Sequence, residues 1–316
     1  MINYIIVLFS VILLALQFSA TKFYQLKYGA GAVSATRFNV IVRGITSLVF
    51  LSASLISLGR LGFSGVSVLY AALIALFCVT YTLLGFIIMK LGPVSVYMMF
   101  LMSGGMLLPW LFGVFYLDEP ANAARIVGLV LMLVSLLLPL LDSRTEGQTK
   151  KIKGSYWVLC AFVFLLNGGV SIFSKLHQVS AAETVETIEF VFLANLCNFI
   201  ISGTALAVSL LRGKKNPPEA PTEPTDKNYI GKTLKPTLTL MIPVCAVTAV
   251  LDGSAYFLQL LGAARLDASV LYPMVTGGTI VLSAVAARIF FGEKPGRYSL
   301  AGLALSFAAT FLFLAA

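Results

Sequence analysis

The sequence predicts an all-α integral membrane protein, with ten transmembrane helices arranged as two inverted five-helix repeats. Three observations carry this. The 316 residues are 59% hydrophobic and only 11% charged, against about half apolar and a quarter charged in a soluble domain. Seven charge-free runs are 19 residues or longer, and about 20 apolar residues span a bilayer as a helix. Short motifs also recur in register between the two halves of the chain.

The seven runs are Met1–Thr21, Leu61–Met89, Leu91–Leu117, Gly154–Ser174, Phe190–Leu211, Ala268–Ala287 and Tyr298–Ala316. Three more spans emerge if one charge each is tolerated, around Arg43, just after Arg125 and around Asp252. Helices are expected at about 2–25, 32–58, 65–89, 93–116, 122–141, 155–176, 187–212, 236–262, 267–290 and 297–316. Barrel strands alternate over roughly ten residues, and these runs do not, which excludes a β-barrel. The first run has no basic leader and no small-residue cleavage site, so it is expected to be a retained helix. Cys78, Cys160, Cys197 and Cys245 all fall within expected helices. They read as small packing residues rather than a disulfide or metal framework.

Two hydrophilic breaks organise the chain. "DSRTEGQTKKIKG" separates residues 1–150 from residues 151–316. A proline- and charge-rich stretch at about 212–236 cannot bury a core and is expected to be a mobile loop. The net charge of +9 resides largely in loops, so it reports orientation rather than a nucleic-acid partner. Loops after odd-numbered helices carry about 17 lysines and arginines, those after even-numbered helices 4. By the positive-inside rule this puts the odd loops in the cytoplasm and both termini outside.

The repeats are legible residue by residue. "TKFYQ" closing helix 1 matches "SKLHQ" closing helix 6, pairing Lys22 with Lys175. "SGG" at Ser103–Gly105 matches "TGG" at Thr276–Gly278. "YLDEPANAARIVGLVL" matches "FFGEKPGRYSLAGLAL", pairing Glu119 with Glu293 and Gly128 with Gly302. Tyr81 and Tyr256 fall into register as well. An odd number of helices per half inverts the second half in the membrane. Inverted repeats typify secondary transporters whose site lies between the repeats near the midplane.

With these paired "DEP…G" and "GEKP…G" segments, the helix-closing lysines and "RF" at Arg37–Phe38, the sequence resembles the drug/metabolite transporter superfamily, EamA type. The resemblance covers nearly the whole chain. It implies a central cavity lined mainly by helices 1, 3, 4, 6, 8 and 9, and alternating access. Relatives move amino acids, nucleotide sugars, sugar phosphates, nucleobases and drugs, so the resemblance implies a small-molecule substrate without naming it, and it favours efflux.

Polar residues mark the same helices independently. Helix 8 carries Cys245, Thr248, Asp252, Tyr256 and Gln259, and helix 9 carries Ser269, Tyr272, Thr276, Thr279 and Ser283. Steps of three and four put each set on one face. Such stripes serve either helix–helix hydrogen bonding or a wet cavity. On the second reading, Asp252, Tyr256, Gln259, Tyr272, Thr276, Gln17, Asn167 and Ser171 contact substrate, and Tyr81 and Tyr97 wall the cavity. Asp252 lies about 20 Å into its helix at 1.5 Å per residue. A central aspartate costs roughly 2.5–3.5 kcal/mol to insert. It therefore binds a substrate amine, carries a coupling proton, or pairs with Arg43, the other deep charge. Lys22 and Lys175 either bond helix-end carbonyls or form a symmetric cationic pair for anionic substrates. The glycine pairs at 104–105, 168–169 and 277–278, with Pro109 and Pro273, serve close packing or hinges. His177 reads as a surface residue.

No phosphate loop, metal cluster or nucleophile–histidine–acid set appears, so neither an enzyme nor a cofactor is expected. The partners expected are a small-molecule substrate and membrane lipids, with a monomer plausible and no nucleic acid. The reading from a different class is a handler of lipid-linked carriers, or an assembly partner, with no soluble substrate.

Overall fold

The computed structural model describes residues 2–29, 31–91, 94–138, 141, 154–213, 238–292 and 296–315. The breaks at 142–153 and 214–237, including the expected mobile loop, and the repeat residue Glu293 lie outside the described residues. Among the described residues ten helices follow one another: α1 (Ile2–Tyr28), α2 (Ala32–Leu58), α3 (Gly65–Leu91), α4 (Val94–Tyr116), α5 (Ala123–Leu137), α6 (Gly154–Val179), α7 (Thr187–Gly213), α8 (Leu238–Ala263), α9 (Ala268–Phe291) and α10 (Arg297–Ala315). Eight are long and apolar enough to cross a membrane, while α5 and α10 are shorter apolar helices. A helix bonds its interior backbone groups to one another, as a bilayer requires. Large side chains such as Leu8, Phe9, Ile56, Val158 and Ile289 are exposed on the outer surface, where lipid is the solvent.

Helix ends follow from local chemistry. Gly59 and Gly292 adopt positive φ and close α2 and α9, their N–H groups bonding back to the last helical turn. Asn122 caps α5 by accepting from the Arg125 N–H at 2.9 Å.

Most helix packing runs between residues 1–150 and residues 151–316. α2 crosses α7, α1 lies between α8 and α9, α6 lies between α3 and α4, and α5 packs on α10. The halves are interleaved, and the buried apolar clusters are shared between them. One gathers Val7, Val11, Met106, Trp110, Met132, Leu271 and Phe313. Another joins Phe50, Ala71 and Ile74 to Phe190, Val191 and Leu193.

Closest approach occurs where α4 meets α6. A Cβ on Gly104 would fall within 2.8 Å of the Phe164 backbone, and one on Gly168 would sit 2.8 Å from the Gly104 carbonyl oxygen. Backbone atoms cannot rotate away, so the helices would have to separate. Gly104→Ala is expected to cost about 1–3 kcal/mol, the usual penalty of overpacking. Gly203→Ala, with open space at its Cβ, should be neutral. Melting temperatures in one detergent test the contrast, and equal values would show that α4 and α6 tolerate separation.

Candidate functional site

Polar chemistry collects in three places. The first lies where α2, α7 and α8 meet. Arg43 Nη1 is ion-paired with Asp252 Oδ2 and donates to Asn195 Oδ1 at 3.0 Å. Its Nε donates to Asn39 Oδ1 at 3.3 Å, and Asn39 Nδ2 donates to Asn198 Oδ1 at 3.2 Å. The two deep charges therefore compensate one another, Asn39 and Asn195 also accept from Arg43, and Asn198 holds Asn39. Partnering of this kind makes buried charge tolerable in a membrane.

The second place is the end of the bundle that holds the loops after even-numbered helices. Here the residues 1–150 and 151–316 are fastened together. Asp118, with φ of 53°, turns the chain so that Glu119 points into the start of α9. Its carboxylate accepts from the Ala268 N–H at 2.7 Å and the Ser269 N–H at 2.8 Å. Asp267, at the N-cap position of that helix, makes no side-chain cap bond. It pairs instead with Arg125 at 2.8 Å. Arg125 also donates to the Pro120 carbonyl at 2.8 Å and to Ser269 Oγ at 3.0 Å. A foreign glutamate thus caps α9, where anions are favoured by the unpaired N–H groups and the helix dipole.

Further ties lie at the same end. The Gly62 N–H donates to Glu189. Ser64 Oγ donates to the Glu183 carbonyl at 2.6 Å. Lys175 Nζ donates to the Ala263 and Leu266 carbonyls at 2.8 and 2.6 Å, occupying the C-terminal end of α8. His177 is not at the surface, as the sequence suggested. It is 2% exposed, bonded to Ser67 Oγ at 2.9 Å and stacked on Phe190 at 3.5 Å. Its helix end is covered by α3 and α7, which single-chain periodicity could not reveal.

The third place is a cavity of about 510 Å³ at the opposite end. Its walls come from the C-terminal halves of α1 (Phe18, Ser19, Lys22), α5 (Ser135, Leu136) and α9 (Thr279, Ser283, Phe291), and from the N-terminal halves of α4 (Met98, Met99, Met102) and α10 (Ser299, Leu303). It uses α1, α4 and α9 as expected, with α5 and α10 in place of α3, α6 and α8. Lys22 is the one sequence candidate in this lining, and its Nζ sits 4.9 Å over the Phe291 ring.

The remaining candidates lie between the cavity and the fastened end or along the helix interfaces. Asn167 Nδ2 donates to the Leu101 carbonyl at 2.7 Å. Ser171 Oγ donates to the Gly105 carbonyl at 3.2 Å. Tyr272 donates to the Ser171 carbonyl at 2.5 Å. Tyr256 and Ser174 share a hydrogen bond of 3.0 Å. Together these join α4, α6, α8 and α9. Gln17 Nε2 donates to Thr21 Oγ1 at 3.0 Å. Gln259 and Thr276 are half-buried. Tyr97 is buried in the cluster of Ile88, Leu101, Tyr156 and Cys160, with Tyr81 packed against it. Among the described residues no group of acids, cysteines and histidine has metal-binding geometry.

Ten apolar helices with internal polar ties and a solute-sized cavity define a multi-pass integral membrane protein. Residues 152–315 match the EamA-like transporter family, a little over half of the chain, and the chain belongs to that family of drug/metabolite-type membrane transporters. A solved crystal structure matches over 98% of this chain and 95% of its own, with a TM-score of 0.66 and 19% identity. At that identity the likeness is one of fold. No curated protein matches.

Proposed function

We propose that the protein is a secondary transporter that exports a small polar or amphipathic metabolite or drug across the cell membrane by alternating access. The observation that carries this is the contrast between the two ends of the bundle. One end holds the cavity, and the other is tied shut across the halves by Glu119, Arg125 and Glu189. A carrier caught open to one side would have this asymmetry. In this reading the open side faces the cytoplasm and both termini lie outside, with the bias of basic residues among the loops as support.

Two inverted repeats, residues 1–150 and 151–316, account for the packing. α1 meets α8 and α9 as α6 meets α3 and α4, which is the pattern an exchange of halves would generate. Arg43 bonds to Asn195, 152 residues further on and so at nearly the offset that pairs Lys22 with Lys175, as residues close to a two-fold axis would. In this reading the Arg43–Asp252 pair and Lys175 are structural. Tyr256, Tyr272, Asn167, Ser171, Gln259, Thr276 and Gln17 meet substrate as the tied end opens, with Tyr81 and Tyr97 behind them.

Substrate-dependent flux of the purified protein in liposomes tests the proposal. A saturable flux supports it. Saturable binding with no flux in either direction overturns it. Labelling of Lys215→Cys by an impermeant thiol reagent in intact cells would reverse the orientation.

A further inference from the structure

Two buried carboxylates at the fastened end are used in the same way. Glu119 and Glu189 are 9% and 2% exposed. In both, each oxygen accepts one backbone N–H. Glu119 Oε1 accepts from Ala268 at 2.7 Å and Oε2 from Ser269 at 2.8 Å. Glu189 Oε1 accepts from Gly62, across the halves, and Oε2 from Glu186 at 3.0 Å. Both heads also press on glycine backbone. A Cβ on Gly113 would meet the Glu119 carboxyl carbon at 2.8 Å, and one on Gly62 would meet Glu189 Oε2 at 2.8 Å. Neither head can turn aside in that direction. A proton therefore disturbs a bond wherever it settles. The oxygen that takes it becomes a donor and a poor acceptor, and the N–H already bonded there is weakened. A buried amide without an acceptor is costly.

We infer that Glu119 and Glu189 form an acid-operated latch: proton uptake by these two carboxylates releases the fastened end and lets residues 1–150 and 151–316 part there. The inference goes beyond the transporter reading above and rests on it for the opening of this end. The cavity lies at the opposite end, so the protons come from the medium that the fastened end faces. The neighbouring charges permit the uptake. Around Glu119 they are Asp118 in its own loop, Arg125 of α5, Asp267 at the start of α9, Lys175 of α6 and the Tyr272 hydroxyl of α9, while α4 offers Gly113. Arg125 keeps Asp267, and Lys175 keeps the Ala263 and Leu266 carbonyls, so neither cation is stranded when Glu119 is neutralised. Around Glu189 lie Glu183 and Glu186 on the approach to α7, Arg60 two residues before Gly62, and His177 of α6, which stacks on Phe190.

The test follows the width of the fastened end. Phe115 and Ala264 are exposed there and belong to different halves. Nitroxide labels are placed through Phe115→Cys and Ala264→Cys in the full chain lacking Cys78, Cys160, Cys197 and Cys245. Double electron–electron resonance in phosphatidylcholine nanodiscs gives their distance distribution from about pH 8 to about pH 4, the span over which ordinary carboxylates take up a proton. A longer-distance population is expected to grow on acidification. Its ratio to the short one should rise about 10- to 100-fold for each latch, the usual worth of one charged hydrogen bond. Glu119→Gln together with Glu189→Gln sets an amide N–H where protonation would set an O–H. That double variant should be wide at about pH 8 and respond little further, and each single variant should keep part of the response. An unchanged distribution across the range overturns the inference. So does a response that survives in the double variant, which would belong to Asp267 or His177, and so does a change that fails to reverse at about pH 8, which is acid unfolding. If the double variant does not fold, the titrations of the labelled parent and of the single variants decide, and single variants that respond as fully as the parent overturn it. Acid opening without saturable flux in liposomes would sink transport and leave the latch standing. Saturable flux with a pH-independent distribution would do the reverse.

Discussion

Arg43→Met is expected to be the most damaging single change in the membrane interior. It strands the Asp252 carboxylate, which is ion-paired to Arg43 with side-chain exposures of 25% and 15% for the arginine and the aspartate. Removing one partner of a buried pair costs about 3–5 kcal/mol. That is a large part of the roughly 5–15 kcal/mol that typical folded domains possess. Asp252→Leu should be milder, because Arg43 keeps Asn39 and Asn195 as acceptors. The double variant Arg43→Met, Asp252→Leu should recover most of the loss, since replacing a whole buried pair by apolar groups is often close to neutral. Thermal unfolding in detergent gives the cycle. If the double variant is as unstable as Arg43→Met, the pair does not act as a unit. The same double variant separates structure from coupling. A folded variant that still transports has no need of Asp252 as a proton carrier, and a folded variant without transport returns Asp252 to the pathway.

How far the sequence was legible depends on the distance over which each feature is decided. The helices were legible because hydropathy and helix ends are local: Gly59 and Gly292 sit where the chain must turn, and Asn122 where a cap is needed. Arg43 and Asp252 were both visible as costly charges, and their pairing was one of three open roles. Choosing among the three needs the crossing of α2 with α8, which no periodicity encodes. Lys175 had two readings, and the carbonyls of Ala263 and Leu266 accept from it. Glu119 was visible only as a repeat residue. Its work depends on a loop between α4 and α5 reaching the start of α9, a contact spanning 149 residues. His177 was misjudged for the same reason, because its cover comes from other helices. The spacing of the α9 polar stripe puts it on one face, yet the sequence could not show that its ends differ. Ser269 is tied to Arg125, while Thr279 and Ser283 reach the cavity.

Glu119→Ala is expected to open the fastened end. It removes one acceptor that serves two buried N–H groups and the positive end of a helix dipole. Each stranded amide costs about 1–3 kcal/mol if it stays dry. The chain can avoid that cost by letting water reach the start of α9, which means parting residues 1–150 from residues 151–316 at this end. Arg125 and Asp267 would be exposed by the same movement, so they do not compensate. Glu119→Gln is the sharper control. It keeps an oxygen acceptor but loses the charge that suits the helix terminus, so it should lie between the native protein and Glu119→Ala. Ser174, 3% exposed and bonded to Tyr256 beneath the tied end, is the reporter. In a background lacking the four native cysteines, Ser174→Cys should react slowly with an impermeant thiol reagent. Adding Glu119→Ala should speed the reaction at least about tenfold, the rate change for a population shift worth about 1.4 kcal/mol. Equal rates with and without Glu119 would mean that the contact caps α9 and does not hold this end closed. A faster reaction in Glu119→Ala that slows again when ligand binds the cavity would place the two ends in one equilibrium, because a ligand shifts a population only by preferring one of its states.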